Sequence, residues 1–231
     1  MTNHNREEII KKSLELFYSS GYKQTTLRKI GEEVGTYHSA ILNNFKKKSD
    51  LAAIFITRYI VNLRKITDNF CDEVLPKEMY EGNKELYFTL AFFSLHFKLI
   101  IKDDSFSRFY YEFLNQEKTD FNEIAQNKGP IKNKYYSVLE ENNIKKINIQ
   151  LMNNSIISYV DSMICLSCSK KVLNLYDAVK LFMKFYFDMN YINSKANENE
   201  IDVFLCSYID PYETTHINIY HDLLSLEEQS S

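Results

Sequence analysis

The sequence predicts an all-α protein, and three observations carry that expectation. Only 5 Gly and 3 Pro punctuate 231 residues, too few breakers for the many tight turns of a sandwich or barrel. Leu, Ile, Lys, Glu and Phe recur throughout, and apolar residues fall at helical spacing over most of the chain. With 45% hydrophobic residues, the chain can bury a substantial core and form one or two domains.

Taken in order, residues 6–20 read as an amphipathic helix. Ile10, Leu14 and Phe17 fall at i, i+4, i+7, Ile9 and Leu16 widen the stripe, and Gly21 is placed to stop it. A second helix should open at Thr25 or Thr26, whose hydroxyl can cap free backbone amides, and carry Leu27, Ile30 and Val34 on one face until Gly35. A short third helix over residues 37–43 would bury Ile41, with Phe45 one turn on. One longer helix followed by two short ones joined at a glycine is the three-helix form of the helix-turn-helix.

Charge is segregated along the chain. Residues 1–51 hold nine Lys/Arg against six Asp/Glu, whereas residues 196–231 hold eight acidic residues and no Lys or Arg. A basic head fits phosphate binding despite the overall charge of −3, the alternative being an ordinary solvated surface.

The run Thr25-Thr26-Leu27-Arg28-Lys29-Ile30-Gly31-Glu32-Glu33-Val34-Gly35, continued by Ile41, Phe45, Lys48 and Leu51, resembles the signature of the tetracycline-repressor (TetR) family of transcriptional regulators. The likeness runs without a gap over residues 6–51, about a fifth of the chain. Family members usually carry Ala where Gly31 sits, Val for Thr36, Ser for Tyr37, Gly for Ser39, Tyr for Leu42, and His or Tyr for Asn44. Gly31 still permits close helix approach, at about 1 kcal/mol of helix propensity. Leu42 cannot donate a hydroxyl to a phosphate as Tyr does there, so that contact is either lost or moved to Tyr37, Asn43 or Asn44.

A helix in the major groove presents its N-terminal side chains to base edges while flanking donors hold phosphates. Expected base contacts are therefore Arg28, Tyr37, His38, Ser39 and Ala40, with Arg28 suited to the O6 and N7 acceptors of guanine and Ala40 to a thymine methyl. The alternatives are a solvated Arg28 and a Tyr37–His38 pair that packs at the turn. Expected phosphate contacts are Thr25, Thr26, Asn43, Asn44, Lys46 and Lys48, with Lys47 in the same run. Ser49 or Asp50 can cap a fourth helix, whose stripe is Leu51, Ile54, Phe55, Tyr59 and Leu63.

Further helices are expected over residues 84–101, 105–117, 121–141, 145–168 and 174–191, separated by Asp103-Asp104-Ser105, Gly129-Pro130 and Asn142-Asn143. The domain plan is a DNA-binding head, residues 1–50, a helical ligand-binding and dimerisation body, residues 51–195, and an acidic C-terminal extension, residues 196–231. The family resemblance implies a homodimer paired through residues 149–166 and 178–191, and an effector cavity in the body. Phe93, His96, Phe97, Tyr110, Met152, Asn153, Tyr159 and Met163 are the residues expected to line it, as aromatic walls with a few polar groups suit a small apolar or aromatic effector. Ordinary core packing is the competing reading of each. The extension, with apolar clusters over 201–209 and 217–226, is either an added helix docked on the body or its partner, or a partly disordered acidic tail.

No metal site and no cofactor are expected. Cys165 and Cys168 have the spacing of half a zinc site but lie in an expected helix without a second pair, and His216 and His221 sit five apart in the extension. No nucleophile elbow, phosphate-binding glycine loop or zinc-protease pattern is present, so an enzyme is not expected. The apolar stretch 86–101 carries His96 and Lys98 and is too short to span a bilayer, and no secretory signal is visible, so a cytoplasmic protein is expected. The functional expectation is a dimeric repressor of a double-stranded DNA operator, released by an effector. The alternatives are an architectural DNA-binding protein that senses nothing and a helical protein-interaction module.

Overall fold

The computed structural model describes residues 6–117 and 198–224, together with positions 158, 162, 177 and 179–182. The described residues are helical, with turns between the helices and no strand. The expected helix over 121–141, most of those over 145–168 and 174–191, most of the expected dimer segments, and the Cys165–Cys168 pair lie outside them.

Helix α1, Arg6–Gln24, opens with Glu7 and Glu8, whose charges suit the positive end of the helix dipole. It buries Ile9, Ile10, Leu14, Leu16 and Phe17, the stripe its spacing dictates. Gly21 interrupts the helix as expected, at φ 82° and ψ 169°, and a last turn then runs to Gln24. That conformation is open to glycine and strained for other residues.

Helix α2, Leu27–Val34, is capped by Thr26, whose hydroxyl accepts from the Lys29 N–H at 3.1 Å, and is closed by Gly35 in the left-handed region. Helix α3, His38–Leu42, follows with Tyr37 at its N-cap and Ile41 buried. The turn between them is tight, the Thr36 N–H donating to the Gly31 carbonyl at 2.7 Å. A Cβ at position 31 would lie 2.8 Å from the Thr36 carbonyl oxygen, so the close approach requires glycine.

Helix α4, Lys48–Val74, begins earlier than its apolar stripe suggested. Asp50, in its first turn, accepts from the Lys47 N–H at 3.1 Å. Leu51, Phe55, Ile56, Tyr59, Leu63 and Phe70 form the buried side of this helix, which runs from the head through the body. A short helix α5, Lys77–Gly82, was not anticipated; it follows Pro76 and has no buried residue, so no apolar stripe announces it. Helices α6, Lys84–Lys102, and α7, Asp104–Gln116, match expectation and are capped by the side chains of Asn83 and Asp103.

The C-terminal extension is folded against the body over its described part. Helix α8, Glu198–Phe204, continues into a π-helical turn, Leu205–Ile209, and a second such turn spans Ile219–Leu224. Ile201, Phe204, Leu205, Ile209, Ile217, Ile219, Leu223 and Leu224 are all buried in the same core as α1, α4, α6 and α7. Over residues 198–224 the extension is thus an α-helix and two π-helical turns packed on the body.

Candidate nucleic-acid interface

The head presents one exposed edge. Arg28 on α2 carries a side chain 85% exposed, its Nε donating to Glu32 Oε1 at 2.9 Å one turn later. Tyr37 is 83% exposed at the start of α3, and His38 and Ser39 beside it are exposed, with Ala40 half-buried. A large aromatic left in water at the mouth of a short helix contributes nothing to the core, so its ring is available to another molecule. Asn43, Asn44 and Lys46 are exposed where the chain leaves α3, with the Asn44 amide donating to the Ala40 carbonyl at 3.2 Å. Leu42, 40% exposed, stands on the same rim and offers only apolar contact.

Two of the expected phosphate contacts have other occupations. Thr25 is buried, and its hydroxyl lies 2.8 Å from the Gly21 carbonyl and 3.2 Å from that of Leu16. The helix breaks at Gly21, and the Thr25 hydroxyl donates into that break. Lys48 is turned inward: its Nζ donates to the Tyr22 carbonyl at 2.8 Å and stands 3.7 Å from the centre of the Tyr22 ring. Desolvation lowers its pKa, opposed by the carboxylates of Glu117 and Glu112. The exposed donors on this rim are thus Thr26, Asn43, Asn44, Lys46 and Lys47, while Thr25 and Lys48 hold the head together.

The head is locked to the body through α1. Phe17 stacks on Phe109 at 5.3 Å and meets Phe55 edge-on at 6.0 Å. On α7 and its C-cap, Arg108 donates to the Ser19 carbonyl at 2.6 Å, Glu112 accepts from the Lys23 N–H at 2.7 Å, and Glu117 accepts from the Tyr22 hydroxyl at 2.9 Å. The Tyr18 hydroxyl donates to Asp103, the residue that also caps α7 through the Phe106 N–H. None of these partners was anticipated from sequence, where Asp103 read only as punctuation.

In the body, the structure brings together Phe93, His96, Phe97 and Tyr110 among the expected effector-site residues. All four are buried. His96 Nδ1 lies 2.9 Å from the Tyr59 hydroxyl and its Nε2 lies 3.4 Å from that of Tyr110, while Phe92 and Phe97 flank the ring. Burial lowers its pKa to about 3, so the imidazole is neutral, and pushes the Tyr59 phenol well up. Tyr59, which the helical stripe marked only as apolar, is its nearest polar partner. Met152, Asn153, Tyr159 and Met163 lie outside the described residues. Among those described, no group of His, Cys, Asp and Glu could hold a metal ion, and His216 and His221 are exposed on the extension. No helix there is long and apolar enough to cross a membrane.

Residues 9–53 match the family described as bacterial regulatory proteins, tetR family. The head is a TetR-family DNA-binding domain. The match covers the helix-turn-helix and the first turns of α4, and a protein with this TetR-type head is a DNA-binding transcriptional regulator. Among solved structures, the fatty acid degradation regulator FadR from Bacillus halodurans shares 14% identity with the chain, over 85% of this chain and 98% of that one, at a TM-score of 0.48. No curated protein matches the chain.

Proposed function

We propose that the protein is a transcriptional repressor that holds a palindromic double-stranded operator as a homodimer and leaves it when a small apolar or aromatic effector binds the body. The observation that carries the DNA reading is the exposed edge of Arg28, Tyr37, His38 and Ser39 on a head whose Phe17, Tyr22 and Phe45 rings are buried. Arg28 reads a guanine through its two terminal nitrogens, Nε being held by Glu32. Tyr37, His38, Ser39 and Ala40 meet neighbouring base edges, and Thr26, Asn43, Asn44 and Lys46 fix the register on phosphates. One helix of five residues reads few bases, which is the physical motive for two heads on two half-sites.

Release follows from a population shift. An effector that binds better to a body whose heads are wrongly spaced for the operator pulls the dimer off DNA by that difference in affinity. The aromatic group of Phe93, His96, Phe97 and Tyr110 suits an uncharged effector, because the neutral imidazole gives no cation to pair with an anion.

The test is selection from random duplexes with the purified protein at two salt concentrations, followed by sizing of the complex. A palindromic consensus held by a dimer is the expected result. Binding that is blind to sequence and lost at moderate salt would replace this reading with an architectural role.

A further inference from the structure

The strap formed by residues 205–224 joins the body to the head. On the body side, Lys98 Nζ donates to the carbonyls of Ile209 at 2.8 Å, Asp210 at 3.2 Å and Tyr212 at 2.6 Å. Lys102, one turn on, donates to Thr214 and, at 3.3 Å, to Ile217. Two α6 ammonium groups thus take five main-chain carbonyls of a stretch that Pro211 keeps out of a helix. Tyr212 meets Phe70 edge-on at 4.8 Å. Beyond it the strap crosses α4, where the Asn62 amide donates to the Leu223 carbonyl at 3.3 Å.

Its last turn is fixed from within. Asn218 accepts from the His221 N–H at 3.1 Å, and Asp222 accepts from the Asn218 N–H at 2.6 Å. That turn sets Tyr220 against Tyr18 of α1, the ring centres 5.1 Å apart at 68°. The Tyr18 hydroxyl in turn donates to Asp103 at the corner between α6 and α7. Tyr18 is therefore gripped by the strap on its ring and by the body on its hydroxyl, and α1 is the helix on which α2 and α3 are built.

Resting on the DNA reading above, we infer that the strap is a specificity-determining brace: its Tyr220–Tyr18 contact fixes the attitude of each head, and with it the half-site spacing that the dimer accepts. Tyr18 and Tyr220 stand on α1 and on the strap, whereas the proposed base contacts stand on α2 and at α3, so the brace governs spacing and leaves the half-site sequence unchanged.

The experiment uses the full chain, Tyr220→Ala, and a chain ending at Tyr212, each offered duplexes that carry the selected half-sites at a series of spacings. Amide exchange of α1 in the DNA-free proteins is followed in parallel. In Tyr220→Ala, the preference for the best spacing over its neighbours should fall about 2- to 10-fold, the worth of one aromatic pair, with the half-site consensus intact. Exchange in the second half of α1 should rise in step, and the shortened chain should show both effects more strongly. Unchanged spacing preference together with unchanged α1 exchange in Tyr220→Ala, which removes a single half-buried ring, would overturn the brace. If the full chain selects no DNA, the regulator reading fails; faster α1 exchange then retains the brace as a head-to-body tie, and unaltered exchange removes it too.

Discussion

The ammonium group of Lys48, the first residue of α4, closes the carbonyl end of α1 by donating to Tyr22 while resting on the face of the same residue's ring. A lysine in this position serves the joint between head and body. Lys48→Met, which keeps the stem and removes the charge, should lower unfolding free energy by about 1–2 kcal/mol from the lost hydrogen bond and cation–π contact. It should leave the slope of log affinity against log salt unchanged, whereas Lys46→Met should reduce that slope by about 1. Equal slope changes in the two variants would return Lys48 to the phosphate contacts.

Arg28 makes the opposite case. Its ion pair with Glu32 is exposed, and such pairs add little to folding, so Arg28→Ala should alter stability by less than about 0.5 kcal/mol. The same variant should lose about 1–3 kcal/mol of operator affinity and relax the preference at one base pair of each half-site. Denaturant melts and a base-substitution series on the selected operator read the two quantities separately, and an unrelaxed half-site would remove Arg28 from base reading.

His96 gives the fold an acid-sensitive point. Its folded pKa, lowered to about 3, lies below the ordinary value of 6.5, so between those values the unfolded chain binds a proton that the native state refuses. This contribution to stability is whole above pH 6.5 and is lost as pH falls towards 3, with a slope of at most about 1.4 kcal/mol per pH unit. Unfolding free energy measured across that window should fall more steeply in the parent than in His96→Gln. Parallel curves would mean that another group sets the acid limit.

Gly31→Ala restores the residue usual in the family and is expected to harm this protein. The new methyl would gain about 1 kcal/mol of helix propensity but would stand 2.8 Å from the Thr36 carbonyl oxygen, a backbone atom that cannot move without opening the turn. Crowding of that kind costs about 1–3 kcal/mol, so a net loss of stability and weaker DNA binding should follow. A more stable variant would mean that the α2–α3 turn relaxes freely.

What could be read from sequence follows the distance over which each signal acts. The caps, glycine stops and apolar stripes of α1 to α4 operate within a turn or two, so the roles of Thr26, Gly21, Gly35 and Ile41 are legible in the residue order itself. Thr25 and Lys48 read as phosphate donors because both sit on a basic, polar stretch, and their inward turn depends on the carbonyls of Gly21 and Tyr22. Tyr18 and Asp103 stand 85 positions apart, and Arg108 and Ser19 stand 89 apart. Contacts at such separations leave no local pattern. The apolar clusters of the extension allowed it to dock on the body, but nothing in its residue order marked Lys98 and Lys102 as the groups that hold its main-chain carbonyls.

The grip of α7 on the end of α1 also bears on how far the head can be treated as a transferable cassette. A fragment stopping near residue 50 would keep every side chain proposed to face DNA but lose Arg108, Glu112 and Glu117, together with the Phe109 and Phe113 rings that cover Phe17 and Tyr22. The α1–α7 contacts run across residue 50, so the segment before it is not an independent packing unit. Grafting this head onto another body would therefore require carrying α7 along with it.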